Sequence, residues 1–528
     1  MNENASKKVL ITDQLAPTGK TVFEEAGIEV IEILDGDADK IQAVLPEIDG
    51  WIIRSGTRIG ALEIQKTKHL KAIGRAGVGV DNIDIESATA HGVVVMNTPG
   101  GNTISAAEHT VALMMSLARH IPAGDSTMKA GAWERKALVG TELNGKVLGV
   151  LGLGRIGQEV ARRALGLQMK IVGYDPYVSQ DQLVVKDIAV QSFEEVIEQA
   201  DILTLHLPKT KDTLNLISEP QLRKMKTSAL LINCARGGLV NEADLADALN
   251  SEIIAGAAFD VFTEEPPLKN PLIEAKNIVL TPHLGASTRE AGTNVAIQVA
   301  TQMKEYLLDG HLSNTINLPI ADMSILKTIG DSLNLAKEIG RLQHPLHAAP
   351  IKSIRLSYNG DPEHIQPLLY SAFEGIMQDR YDGGVNLINA KSVAKTKGIT
   401  LSTLHDPDLS HVQNVIAVTV ESTEGAIWEM LGYTDIQGGH RLTRINNYHV
   451  DVLLDGPLIL ILNTDVPGVV GVVGTLLGEH KINIGEYSLS RQDGDIALSL
   501  VKCDSLPASE LIEKLKSISS IGECYFLG

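Results

Sequence analysis

Three residues have types and settings that suit proton and hydride chemistry. Arg236 lies in Ile232-Asn-Cys-Ala-Arg236-Gly-Gly, Glu265 in Asp260-Val-Phe-Thr-Glu-Glu265-Pro-Pro, and His283 in Thr281-Pro-His283-Leu-Gly-Ala-Ser. Each follows a short apolar run that reads as a strand. In an open parallel sheet the strand C-termini line the ligand crevice, so the three side chains are placed to converge on one edge. Together they suit oxidation of an alcohol beside a carboxylate. His283 takes the hydroxyl proton near neutral pH. Glu265 favours the imidazolium and fixes the ring. Arg236 grips a carboxylate in its fork and polarises the carbonyl that forms. Reduction uses the same groups, with His283 as acid. Taken singly, each has an ordinary structural reading: a packed histidine, a solvated loop carboxylate, a surface ion-pair partner.

Hydride transfer needs an acceptor. Gly152-Leu-Gly154-Arg155-Ile156-Gly157 follows the apolar run Val147-Leu-Gly-Val-Leu151 and opens a helix. Glycines at this spacing allow a tight turn, close approach of backbone to a pyrophosphate, and close helix–strand packing. The helix N-terminus turns unpaired N–H groups toward the phosphates. Asp175 stands 18 residues past Gly157, at the end of the next strand. A carboxylate there accepts ribose hydroxyls and repels a 2′-phosphate, which predicts NAD over NADP.

The elements that must hold these residues alternate. Strands are expected at 9–12, 28–33, 50–53, 71–74 and 93–97, with helices at 18–26 and 83–91. A longer helix at 104–118 carries the chain into a second series. Its strands are expected at 146–151, 170–174, 202–206, 229–233, 255–260 and 278–280, its helices at 156–167 and 242–249. This is the signature of parallel βαβ units. Past Asn317-Leu-Pro the composition shifts to one helix (325–342) followed by mixed strands and polar turns. After Gly456-Pro457 the chain reads strand, helix, strand, strand, helix, strand, the ferredoxin-like order. The fold class is therefore α/β: two doubly wound parallel-sheet units, then an α+β unit and a βαββαβ module.

Length and charge bound the rest. The chain has 528 residues, 44% hydrophobic, with 46 Lys and Arg against 65 Asp and Glu, a net charge of −19. That balance disfavours a general partner among nucleic acids or anionic membranes. No apolar run reaches the length of a membrane span, and the N-terminus has no apolar signal core. Cys234, Cys503 and Cys524 form neither a disulfide framework nor a metal-ligand spacing. No metal and a cytoplasmic location are expected.

These motifs resemble the D-isomer-specific 2-hydroxyacid dehydrogenases. The resemblance rests on Gly152–Gly157 with Asp175, Asn233-Cys-Ala-Arg236-Gly-Gly, Phe259-Asp-Val-Phe with Glu265-Pro, and Thr281-Pro-His283. Gly74-Arg75-Ala-Gly77-Val-Gly79-Val-Asp81-Asn-Ile-Asp resembles that superfamily's substrate-domain signature. The long C-terminal extension is similar to the long-form D-3-phosphoglycerate dehydrogenases. The resemblance implies a discontinuous, flavodoxin-like substrate domain (1–98 with 287–318) and an inserted Rossmann NAD domain (99–286). An intervening domain (319–455) and an ACT regulatory domain (456–528) would follow. It implies NAD-dependent oxidation of 3-phospho-D-glycerate to 3-phosphooxypyruvate, the first step of phosphorylated serine biosynthesis; side reduction of 2-oxoglutarate is a further expectation, since its distal carboxylate could imitate the phosphate. Enzymes of other D-2-hydroxy acids, and a dinucleotide-sensing corepressor on the same scaffold, are the rival readings.

The resemblance also carries roles onto residues. Arg236, Glu265 and His283 take the substrate-arginine, acid and histidine roles. Gly152, Gly154, Arg155, Ile156, Gly157, Asp175, Cys234, Asp260 and Gly285 become the cofactor contacts. A substrate with a phosphate needs further cations and donors, for which Arg54, Ser55, Arg75 and Asn102 are the candidates. Thr103 stands beside them, and Trp133 and Arg135 lie where the superfamily reaches its dimer partner. In the last module, Asn463, Asp465 and Asn483 are the candidates for an L-serine effector. The middle unit's Arg355, Lys391 and Lys395 read as a solvated face. A homotetramer is the family expectation.

Overall fold

The computed structural model describes residues 6–318, 324–378, 380–381, 384–492 and 494–527. Short runs of β-branched and aliphatic residues build the first sheet: β1 (Lys8–Ile11), β2 (Glu29–Glu32), β3 (Gly50–Ile53), β4 (Ala72–Arg75) and β5 (Val94–Met96). All are parallel, in the order β2-β1-β3-β4-β5. Alternation sends Val9, Ile11 and Ile52 to one core and Leu10, Trp51 and Ile53 to the other. Two covered faces explain why central β3 is buried throughout. A distant segment completes this unit. The helix Arg289–Asp309 lays Val295, Val299 and Met303 in the first core. Beyond it, Thr315 bridges Met96, and the Asn317 side chain accepts from Val95 N at 2.9 Å.

The second sheet holds β6 (Val147–Leu151), β7 (Lys170–Tyr174), β8 (Ile188–Val190), β9 (Ile202–Leu205), β10 (Leu230–Asn233), β11 (Gly256–Phe259) and β12 (Ile278–Leu280). Its order, β12-β11-β10-β9-β6-β7-β8, reverses at β6 and β9, the switch point at which such sheets bind ligands. The helix Thr103–Ala118 crosses into this unit and packs on β10 and β11. The expected strands are present, with ends displaced by a residue or two. The structure adds short elements with too few residues for a periodic signal: β8 and the helices Ala38–Val44, Ala61–Lys66, Phe193–Gln199 and Glu219–Lys224. Caps sustain several of them, such as Ser192 with Glu195.

The third sheet runs β13 (Ile351–Tyr358), β14 (Thr400–His405), β15 (Ile416–Ser422), β16 (Ile427–Thr434), β17 (His440–Ile445) and β18 (Tyr448–Leu453). Its order is β14-β13-β15-β16-β17-β18. β13 and β14 are parallel and the other pairs antiparallel. The helices Ser324–Gln343 and Ile365–Ile376 pack together on it. The fourth sheet, β19 (Leu458–Thr464), β20 (Ile484–Arg491), β21 (Ile496–Cys503) and β22 (Ile521–Leu527), has the order β20-β21-β19-β22 and carries the helices Val469–Glu479 and Ser509–Lys516. This is the βαββαβ arrangement expected from the sequence. Leu458, Leu460, Leu498, Leu500 and Leu527 on its other face share one core with the third sheet and its helices. Among the described residues no helix is long and apolar enough to cross a membrane, and no group of three His, Cys, Asp or Glu is placed to hold a metal ion.

Candidate active site

The C-terminal ends of β4, β10, β11 and β12 open on one cleft of about 460 Å³. Arg75 ends β4, Arg236 follows β10, Asp260 follows β11, and His283 follows β12. Arg75, Arg236, Glu265 and His283 all line the cleft, with Ser55 and Asn102 beside them. An adjoining cavity, sharing His283 and Arg75, reaches Arg54. Thus the residues singled out for proton transfer and for anion binding meet at one place.

His283 Nδ1 lies 2.7 Å from Glu265 Oε2. With Nδ1 donating to that carboxylate, Nε2 is the nitrogen left to exchange a proton. Burial works to raise the Glu265 carboxyl. The hydrogen bonds from His283 and from Phe262 N outweigh it and hold the group below its ordinary value. His283 has φ of +56°, a left-handed backbone that costs a branched or bulky residue energy. Its N–H donates to the Asp260 carbonyl at 2.9 Å.

Arg236 is fixed at both ends. Its carbonyl accepts from Asn233 Nδ2 at 3.0 Å, and Nη1 donates to the Ala235 carbonyl at 2.6 Å. Nε stands 3.4 Å from Asp81 Oδ2 across the cleft. Gly237 allows this close passage, because a Cβ there would sit 1.8 Å from the Phe262 carbonyl oxygen. Arg75 is the most stressed group of the site. Burial, then repulsion from Arg236 and Arg54, pushes its guanidinium down to about 10. Its buried Nε has no hydrogen-bond partner. Arg75 and Arg236 face this cleft and Arg54 the cavity beside it, and a ligand with two anionic ends would relieve the repulsion among them.

The glycine loop has the geometry a dinucleotide requires. Gly152 has φ of +99°, and a Cβ on Gly157 would lie 2.0 Å from the Gly152 carbonyl oxygen. Gly154 faces open space, and no side chain caps the helix Arg155–Gly166 that begins there. Its free N–H groups thus suit phosphate. Ile156 packs into the core behind the loop. Asp175 Oδ2 accepts from Leu153 N and Oδ1 from Tyr177 N, both at 2.9 Å, which aims the carboxylate beside the loop. Thr98 Oγ1, Asn102 Oδ1 and Thr103 Oγ1 are buried without a partner, as expected of groups kept for a polar ligand. These residues fit a bound nicotinamide dinucleotide. Burial raises the Cys234 thiol to about 12, so it meets any cofactor as a neutral, compact side chain.

Asp260 is fully buried. Burial works to raise its carboxyl, and bonds from His109, Thr281, Leu284 N and Gly285 N outweigh this and lower it. The carboxylate is thereby largely occupied in holding the His283 loop, Gly285 included. The sequence did not reveal this use of Asp260, gave Asp81 only as part of a signature without a role, and did not single out His109 or Lys209. Lys209 lines the cleft just after β9, so the strand-end rule that found Arg236 would have found it too.

Outside the cleft the outcome differs. Trp133 is 77% exposed, and Arg135 is exposed beside it. Arg355, Lys391 and Lys395 are exposed, as expected. In the last module Asn463 is turned inward, its amide bonded to the Thr464 carbonyl and to Ser499 Oγ. Asp465 pairs with Arg491 at 3.1 Å. Asn483 precedes β20 at the end where Ile484 meets Cys503, whereas Asn463 meets Ala497 at the other end of β21. At ~3.3 Å per residue, that separates them by roughly 15–20 Å. One chain therefore does not bring the three effector candidates into a single pocket, because the antiparallel register sends them to opposite ends of the sheet.

Fold and cleft define a class, and comparison with known proteins supplies it. The family described as D-isomer specific 2-hydroxyacid dehydrogenase, NAD binding domain, matches residues 111–285. The D-3-phosphoglycerate dehydrogenase intervening domain matches residues 328–446. An NAD-dependent formate dehydrogenase from Staphylococcus aureus, solved in complex with NAD, is 30% identical. It covers 59% of this chain and 98% of its own, with a TM-score of 0.53. Over the whole chain the likeness narrows. The D-3-phosphoglycerate dehydrogenase of Archaeoglobus fulgidus is 37% identical over 97% of this chain and 98% of its own, and that of Bacillus subtilis is 37% identical over the same shares. The chain belongs to the D-3-phosphoglycerate dehydrogenase family, and its cofactor is NAD.

Proposed function

We propose that this chain oxidises 3-phospho-D-glycerate to 3-phosphooxypyruvate with NAD, the first step of phosphorylated serine biosynthesis. The observation that carries the reading is the convergence of Arg54, Arg75 and Arg236 on the cavities that hold the His283–Glu265 pair. A dianionic hydroxy acid supplies the charge that these guanidiniums lack.

In this reading Arg236 grips the carboxylate, and Arg75, with Arg54, Ser55 and Asn102, receives the phosphate. His283 Nε2 takes the hydroxyl proton while Glu265 holds Nδ1–H and stabilises the imidazolium. NAD, when bound, would supply the hydride acceptor for this oxidation. Gly152, Gly154, Arg155 and Gly157 would hold its pyrophosphate, and Asp175 its adenosine ribose. Asp260, Cys234 and Gly285 would border its nicotinamide side. Reduction of 2-oxoglutarate follows as a side reaction, its distal carboxylate standing in for phosphate. We also assign the domains as 1–98 with 287–318, 99–286, 319–455 and 456–528. A homotetramer, L-serine control through the last module, and a cytoplasmic setting complete the proposal. Since one chain separates Asn463 from Asn483, an effector site using both would draw on two subunits.

The test is NADH formation at 340 nm with 3-phosphoglycerate, at alkaline pH with a product trap, with and without L-serine. Turnover is expected. Intact NAD binding with no oxidation would reject the substrate. Oxidation indifferent to serine would reject the effector alone.

A further inference from the structure

We propose that His109 is a positioning residue for the proton-transfer pair, acting through Asp260. The inference rests on the assignment of His283 and Glu265 above. His109 lies in the second turn of the crossing helix Thr103–Ala118, and its side chain is largely buried. Its Nε2 stands 3.1 Å from Asp260 Oδ1 and 3.3 Å from Thr281 Oγ1. Asp260 takes three more bonds from the loop that carries His283. Thr281 Oγ1 donates at 2.6 Å and Leu284 N at 2.7 Å to Oδ1, and Gly285 N donates at 2.8 Å to Oδ2. The Asp260 carbonyl accepts from His283 N at 2.9 Å.

One buried carboxylate therefore fixes the residues on both sides of His283, whose left-handed backbone needs such support. His109 is the member of this knot that comes from another element, 151 residues away in sequence. Because Asp260 can only accept, Nε2 must carry a proton, which fixes the ring's role as donor. The helix that bears His109 starts at Thr103, directly after Asn102 of the substrate cleft. His109 thus ties the loop that moves the proton to the helix that borders the substrate. Thr281 and Leu284 still satisfy Oδ1 without it, so its removal should loosen the loop rather than unfold the domain.

The test compares His109→Leu with His109→Gln in the full chain. Glutamine places an amide N–H close to the position of the imidazole Nε2, while leucine fills space without a donor. For His109→Leu we expect kcat to fall about 10- to 100-fold, the scale of a small misplacement of a reacting group. KM for 3-phosphoglycerate and the Kd of NADH should each stay within about threefold, and His109→Gln should recover most of kcat. Amide deuterium exchange across 282–286 should quicken in the leucine variant and be protected again in the glutamine variant. Wild-type kcat in His109→Leu, or unchanged exchange, would overturn the proposal. So would equal losses of kcat and NADH binding in both variants, which would mark bulk packing. Wild-type protein inactive on 3-phosphoglycerate would reject the substrate assignment, while the exchange arm would still decide the role of His109.

Discussion

Replacing Arg75 with methionine should make the ligand-free protein more stable and the enzyme far worse. The guanidinium is buried, its Nε lacks a partner, and Arg236 and Arg54 repel it. Together these lower it from 12.5 to about 10. At about 1.4 kcal/mol per pH unit, keeping such a group charged costs the folded state roughly 3 kcal/mol. The sign follows from proton binding. Between about 10 and 12.5 the unfolded chain holds a proton that the folded one has lost, so the cost is relieved as pH rises through that window and is fully present at neutral pH. Methionine fills similar space without charge. Arg75→Met should therefore raise the melting temperature of the unliganded protein by an amount on the order of 5 °C. Turnover should move the other way. Losing charge-assisted bonds to a phosphate costs about 1.5–3 kcal/mol, so kcat/KM for 3-phosphoglycerate should fall about 10- to 100-fold. Inorganic phosphate should stabilise the wild type against heat and barely touch the variant. A lower melting temperature in Arg75→Met would refute the electrostatic argument and make Arg75 a structural residue. An unchanged kcat/KM would remove it from the substrate site.

Three further outcomes follow from the same geometry. His283→Ala should lose most turnover while NADH fluorescence titration still shows binding, since the loop Gly152–Gly157 and Asp175 remain in place; near wild-type rates would end the proton-transfer assignment. Asp175→Ala should weaken NAD about tenfold or more and relax discrimination against NADP, read as a ratio of kcat/KM values; an unchanged ratio would mean that another group reads the ribose. His347 is buried with neither ring nitrogen bonded, and burial with nearby Arg380 lowers it from 6.5 to about 4. Stability tied to its neutral form is present above pH 6.5 and is lost toward pH 4, on the order of 3 kcal/mol. His347→Leu should raise the melting temperature and flatten its fall across that window, as thermal scans at stepped pH would show.

How far the site could be read from sequence depended on which force set each residue. The loop Gly152–Gly157 was legible because backbone geometry alone demands glycine there: no side chain fits 2.0 Å from the Gly152 carbonyl. Arg236 and His283 were legible because strand ends in a parallel sheet face ligand whatever the rest of the chain does. His109 was not. A histidine inside an apolar helix carries no mark of the aspartate that it meets through tertiary packing. The fold shows the same divide. The helix Ile365–Ile376, with nearly all its residues buried, was passed over, and the middle unit read only as one helix with mixed strands and turns. Asn463 and Asn483 flank one helix in sequence, which suggested nearness, yet the antiparallel pairing of β19 and β20 with β21 sets them at opposite ends.

Net charge and local charge disagree here, and distance decides between them. The chain carries −19, yet its cleft and the cavity beside it together gather three arginines and Lys209. At physiological salt, exposed charges more than about 8 Å apart are largely screened, so the acidic surface contributes little inside. What matters is the set of nearby carboxylates. Asp81 and Asp13 work against the lowering of Arg75, but each acts less than the repulsion from Arg236 or from Arg54. Glu265 is committed to His283 and to Phe262 N. Asp81 reaches Arg236 at 3.4 Å with its own side chain 65% exposed. A contact so open to water is worth ~1 kcal/mol or less and yields readily to a substrate carboxylate. The cleft and the cavity beside it are thus left with positive charge from Arg236, Arg75 and Arg54 that these carboxylates do not take up. A single carboxylate leaves part of that charge unanswered; an acid that also carries a phosphate answers more of it, which favours 3-phosphoglycerate over lactate or glycerate.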